Sequence, residues 1–132
     1  MNSRGQIDWP SVRARAATFP EEAFDFVREG LKQTAQVLHG SAAAAQDAPV
    51  GDRRHVSGQQ LCMGLRELAM QRWGLLAQCV LRKWGIRRTE DFGTIVYALI
   101  DREELRASER DNIDDFAGVY DFEEVFGAAT LK

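Results

Sequence analysis

Val56-Ser57-Gly58-Gln59-Gln60-Leu61-Cys62-Met63-Gly64-Leu65-Arg66-Glu67-Leu68-Ala69-Met70-Gln71-Arg72-Trp73 decides the fold class. Ser57 stands where a helix N-cap stands. Gln60, three residues on, is placed to return a hydrogen bond to the Ser57 backbone, the reciprocal pair of a capping box. Val56 and Leu61 bracket that cap as a hydrophobic staple. Leu61, Leu65, Leu68, Ala69 and Trp73 then recur at three- and four-residue steps, so the apolar period is helical.

The end of this helix is echoed downstream. Arg72-Trp73-Gly74-Leu75 returns eleven residues later as Lys83-Trp84-Gly85-Ile86. In both, a glycine follows a helical stretch and an apolar residue follows the glycine, the layout of a Schellman stop. Leu75 is expected to fold back on Met70, and Ile86 on Leu81. The pattern predicts two short helices joined at sharp corners. Residues 89–105 then form an amphipathic helix, with Thr89 as cap, Glu90 and Asp91 at its positive end, and a stripe of Phe92, Ile95, Val96, Leu99 and Ile100.

Upstream, residues 20–39 form a second long helix. Pro20, Glu21 and Glu22 suit its first turn, and Phe24, Val27, Leu31, Thr34, Ala35 and Leu38 mark its inner face. Gly30 lies inside it at a cost of about 1 kcal/mol relative to alanine, so either another backbone approaches it closely or the loss is tolerated. Gly40 ends the helix. Before it, Asp8 and Pro10 start a short helix through Ala17, and Phe19-Pro20 breaks the chain direction.

Two segments lack helical period. Residues 41–52 are alanine-rich and polar with Pro49 and Gly51, and read as a mobile linker. Residues 107–132 set Ile113, Phe116, Val119, Tyr120, Phe122, Val125 and Phe126 among acids. A tail this aromatic is expected to dock on the helices, with a short turn over residues 121–126. Gly118-Val119-Tyr120-Asp121-Phe122 also suits an extended segment paired with Arg54-His55-Val56, a minor two-stranded β element. The expectation is one mainly α domain over residues 1–132: a compact bundle of about five helices with short corners and a docked acidic aromatic tail.

Composition agrees. Of 132 residues, 45% are hydrophobic and 28% charged, which excludes collagen, disulfide scaffolds and wholly disordered chains. A chain of this length buries roughly two-thirds of its unfolded surface, so it needs no metal or disulfide to fold. No apolar run approaches the roughly 20 residues of a membrane span, and the first residues carry no apolar secretion signal. The chain is expected to be cytoplasmic, with no membrane role and with Cys62 and Cys79 as reduced core thiols.

The net charge of −3 hides an asymmetry. Residues 53–88 carry eight basic side chains against Glu67 alone, a balance of +7, and residues 101–124 balance at −7. The plain expectation is self-complementarity, with the acidic tail wrapped on the basic middle. The sharper one is that the basic middle meets an acidic partner and the tail competes.

Chemistry-bearing motifs are few. No GxGxxG, Walker A, HExxH or GxSxG occurs, and Asp91-Phe92-Gly93 has none of the kinase sequences that would give it meaning. His55 beside Ser57 suggests a base and nucleophile only until the capping role of Ser57 is counted. Asp114 and Asp115 lack the spacing of a calcium loop, so no metal or cofactor is expected. A helix-turn-helix over residues 75–84, Gly85 and the helix from Thr89 has the right scale, yet Glu90 and Asp91 would repel phosphate, and a plain helical corner is preferred.

Four stretches carry a resemblance. They are Phe19-Pro20-Glu21-Glu22-Ala23-Phe24-Asp25-Phe26-Val27-Arg28-Glu29-Gly30-Leu31, Arg54-His55-Val56-Ser57-Gly58-Gln59-Gln60-Leu61 with Gly64-Leu65-Arg66-Glu67-Leu68-Ala69, Trp84-Gly85-Ile86-Arg87-Arg88-Thr89-Glu90-Asp91-Phe92-Gly93, and Asp115-Phe116 with Tyr120-Asp121-Phe122. Together they resemble a family of small uncharacterised bacterial proteins of planctomycete and verrucomicrobial type. The resemblance implies no activity, cofactor or catalytic residue.

The functional expectation is therefore a non-catalytic protein-interaction or regulatory module, binding a protein partner or a second copy through Trp73, Arg82, Lys83, Trp84, Arg87 and Arg88. The alternative is DNA binding through the basic corner at Gly85. A small enzyme with a site near His55 stands third.

Overall fold

The computed structural model describes residues 7–44, 55–108 and 111–127. Helix α1 is Trp9–Ala16, α2 is Glu21–Ala44 and α3 is Gly58–Trp73. A 3-10 turn, Gly74–Leu76, leads into α4, Ala77–Lys83, and α5 is Thr89–Asp101. The tail adds a 3-10 turn at Ile113–Phe116 and a short α6, Phe122–Phe126. The fold is mainly α, and no strand occurs among the described residues. The β pairing is thereby corrected: Gly118 is in a turn at φ +59 and Phe122 begins a helix.

Local signals start the helices as their chemistry predicts. Asp8 accepts from the Ser11 N–H, and Ser57 and Gln60 close the capping box at 3.0 and 2.9 Å. Gly85 takes φ +91, with Gly85 N–H donating to Arg82 and Ile86 N–H to Leu81, the two bonds of a Schellman stop. Ile86 is fully buried.

The matching corner at Gly74 behaves differently. Gly74 starts a 3-10 turn, and Leu75 stays 62% exposed instead of folding back on Met70. Thr89 is not the cap of α5 either. That task falls to Asp91, whose Oδ2 accepts from the Arg87 and Arg88 N–H groups at 2.8 and 3.3 Å. Thr89 is fully buried, donating to the Phe116 carbonyl and accepting from Val119 N–H.

Helix α5 also stops earlier than its pattern suggests. Glu103 adopts φ +65, Glu103 N–H donates to Ile100 and Glu104 N–H to Leu99, a Schellman stop without glycine. Left-handed backbone costs a residue with a β-carbon about 1–2 kcal/mol. Glu103→Gly is expected to raise stability by ~0.5–1 kcal/mol after the flexibility of glycine is discounted. The check is the urea midpoint, which moves up; a lower midpoint would show that the Glu103 side chain contributes more than the strain removes.

The core runs between α2, α3 and α5. A β-carbon at Gly30 would overlap the Leu65 side chain, and one at Gly64 would overlap Thr34. These two glycines let α2 and α3 approach closely, which answers the question posed by Gly30. Thr34 Oγ1 is left sealed there without a partner. Phe26 touches both Trp73 and Trp84, and Phe92 links it to Phe122 and on to Phe126 at ring separations of 5.2 to 6.5 Å. The tail is therefore docked, with Phe116, Phe122 and Phe126 buried. Tyr120 donates to the Cys62 carbonyl at 2.8 Å.

Helix α2 is kinked at Gly40, where φ is +85, and continues to Ala44, so it takes in the start of the expected linker. Residues 45–52 of that linker lie outside the described residues. Of the two cysteines, Cys62 is buried and its thiol is pushed up to about 12 by burial. Cys79 is exposed, which corrects its placement in the core.

Candidate functional site: the basic corner and an adjacent cleft

The tail docks chiefly by its rings. Its acids form no ion pair with Arg82, Lys83, Arg87 or Arg88 among the described residues. The carboxylates just before it pair with other elements instead: Asp101 with Arg13 at 2.8 Å and Glu104 with Arg28 at 3.0 Å. Hydrogen bonds from those arginines hold the Asp101 and Glu104 carboxyls below their ordinary range. The tail lies against the basic middle, as the sequence suggests, but without ion pairs to Arg82, Lys83, Arg87 or Arg88 among the described residues. Aromatic burial is worth several kcal/mol per ring, whereas exposed ion pairs are worth less than about 1, so the rings choose the docking site.

The residues singled out from the sequence are brought to one corner. Trp73 and Trp84 meet edge to face at 5.5 Å, both half-buried against Phe26. They rim the core and do not form an exposed aromatic patch. Around them Arg82, Lys83, Arg87 and Arg88 are all exposed. Helix α4 seats Ala77 and Leu81 in the core, a four-residue step that turns Cys79, Arg82 and Lys83 outward. Leu75 and Leu76, in the turn before α4, are 62% and 64% exposed. Reasoning from the sequence missed these two leucines because Gly74-Leu75 has the local form of a buried stop.

The same geometry bears on nucleic acid. A recognition helix must offer an exposed face to the major groove. None of the 13 residues of α5 is fully exposed, and Thr89, Asp91 and Phe92 at its start are buried. The helix that would read bases is the central helix of the core.

A cleft of about 830 Å³ lies on another side, between α2, α5, the chain leading into α3 and residues 104–116. It holds His55, which the sequence marked, together with Asp111, Asp115, Tyr97 and Asn112. His55 Nδ1 lies 3.8 Å from Asp111 Oδ1, and the His55 carbonyl is 2.6 Å from His39 Nε2. Ser57 is held in its capping box. Burial, with Asp111 and Asp115 adding to it, pushes the Tyr97 phenol up to about 12. No group of three metal-ligating side chains occurs among the described residues, and no helix among them is long and apolar enough to cross a membrane.

Comparison with protein-family models, curated proteins and solved structures finds no match.

Proposed function

We propose that this chain is a non-catalytic interaction module whose α4 surface binds an acidic, apolar segment of a protein partner. One observation carries the reading. Four cations, Arg82, Lys83, Arg87 and Arg88, stand exposed without a carboxylate partner among the described residues, and the turn that leads into α4 leaves two leucines outside. Apolar surface next to unneutralised like charge favours a partner that supplies both apolar side chains and negative charge. The buried face of α5 weighs against the DNA alternative. We place the protein in the cytoplasm, where an exposed thiol such as Cys79 stays reduced. We also group it with the small bacterial proteins it resembles.

The test uses the full chain and a labelled helical peptide rich in Asp, Glu, Leu and Phe, followed by fluorescence anisotropy. Saturable binding is expected, weakened at least about tenfold when Arg82, Lys83, Arg87 and Arg88 are all replaced by alanine, because each lost charge contact is worth up to about 1 kcal/mol. The alanine variant should melt with the parent, since the Arg87 and Arg88 backbone bonds to Asp91 are kept. No peptide binding, together with duplex DNA binding of steep salt dependence, would overturn the reading in favour of the DNA alternative. Mass that rises with concentration would identify a second copy as the partner.

A further inference from the structure

The geometry points to a binding site in the His55 cleft for a small amphiphile whose head carries an ammonium group beside an oxygen, such as an amino alcohol with an alkyl body. This goes beyond the proposed interaction surface and does not rest on it.

Two polar groups on the cleft wall have no partner among the described residues. Tyr97 is 4% exposed and Asn112 6%, so both are more than nine-tenths buried. Neither the Tyr97 hydroxyl nor Asn112 Nδ2 makes a hydrogen bond among the described residues, for Asn112 uses only its Oδ1, accepting from Asp114 N–H at 2.9 Å. Thr34 Oγ1 is the one side-chain polar atom among the described residues that is both sealed and unpartnered. The Tyr97 and Asn112 groups are therefore open to solvent, and both residues line the cleft. Buried polar groups normally have hydrogen-bond partners, and a cluster that reaches only a cleft is what a ligand head completes.

Charge selects the ligand. The Asp115 carboxylate also lines the cleft and has no side-chain partner among the described residues. Asp111, on the same cleft wall, has Oδ2 accepting from Ser108 N–H at 2.7 Å and Oδ1 facing His55. Asp111, Asp115 and Tyr97 all line this one cleft. An anionic head would have to sit against two carboxylates. An ammonium head offers three donors, which Asp115, Asp111 and the Tyr97 oxygen can accept. Asn112 Nδ2 is left to donate to an oxygen beside the amine. Of the cations on the cleft wall, Arg28 is tied to Glu21, Asp25 and Glu104, while Lys32 and Arg106 are exposed at its rim. Leu31, Ala35, Val96, Ile100 and Leu105 supply apolar wall for an alkyl body of a few carbons.

The test is a titration of the ¹⁵N-labelled full chain with 2-amino-1-hexanol, and in parallel with hexanoate, which keeps the alkyl body and reverses the head charge. Saturable shifts centred on Tyr97, Asn112 and Asp115 are expected with the amino alcohol, and at least about tenfold weaker binding with hexanoate. Asp115→Asn, with its melting temperature unchanged, is expected to weaken the amino alcohol about tenfold. Tyr97→Phe keeps the ring beside Trp9 and is expected to weaken it severalfold, and it decides the matter if the Asp115 variant fails to fold. Absence of saturable shifts, hexanoate binding as tightly as the amino alcohol, or unchanged affinity in the folded variants would each overturn the assignment.

Discussion

Deletion of residues 107–132 is expected to leave a chain that no longer folds cooperatively at 25 °C. The tail seats three buried phenylalanines, Phe116, Phe122 and Phe126. Phe122 lies 5.8 Å from Phe92, a fully buried ring of α5, so its loss opens the centre of the core. A buried phenylalanine truncated to alanine costs about 3–5 kcal/mol, and a domain is stable by about 5–15. The three losses do not add fully, because Phe122 and Phe126 touch, yet together they are of the size of that margin. The deletion also strips the Phe116 carbonyl from the buried Thr89 hydroxyl, leaving a polar group without its partner. Far-UV circular dichroism and a urea melt decide the matter. A cooperative transition with a midpoint near that of the full chain would mean that the tail is an appendage, and the aromatic account of the core would fall.

The second large effect belongs to Asp91. Asp91 is 2% exposed, and its carboxylate accepts from Arg87 N–H, Arg88 N–H and the Arg15 guanidinium, the last at 2.9 Å. It therefore caps α5, fixes the Gly85 corner and ties α1 to both. Asp91→Ala leaves two backbone donors and one arginine without their acceptor and is expected to cost ~2–4 kcal/mol, since each charge-assisted bond contributes about 1.5–3 and not all survive as net loss. Arg15→Ala is expected to cost less than about 1 kcal/mol, because Arg15 is half-exposed and its pair is screened by water. The contrast separates two accounts of the site. Equal losses in the two variants, measured by urea denaturation, would make the ion pair the anchor and the backbone capping incidental.

Local chemistry was legible wherever one segment held all the atoms that decide it. The capping box at Ser57 and Gln60, the Asp8 cap and the Gly85 stop each close within a few residues, and all form as their spacing predicts. The candidate corner was legible to the same degree, since Arg82, Lys83, Trp84, Arg87 and Arg88 are near neighbours along the chain. Leu75 and Leu76 escaped because Gly74 and Gly85 share one local pattern. The partners of His55 in the cleft escaped for another reason. Tyr97 sits on α5, and Asn112 and Asp115 cap and occupy a separate 3-10 turn, so they line one cleft only when the tail folds back over α3 and α5.

By itself the sequence determined the helical period, the helix starts and the tail too aromatic to stay in water, because these follow from side-chain spacing and the short reach of a hydrogen bond. Only the tertiary structure decided which glycine corner would close, since Ile86 finds a core to enter and Leu75 does not. It also decided that the tail would dock by its rings and leave the basic corner open. Apolar contact is settled by which surfaces the whole chain brings together, and a charge count along the chain holds no record of that.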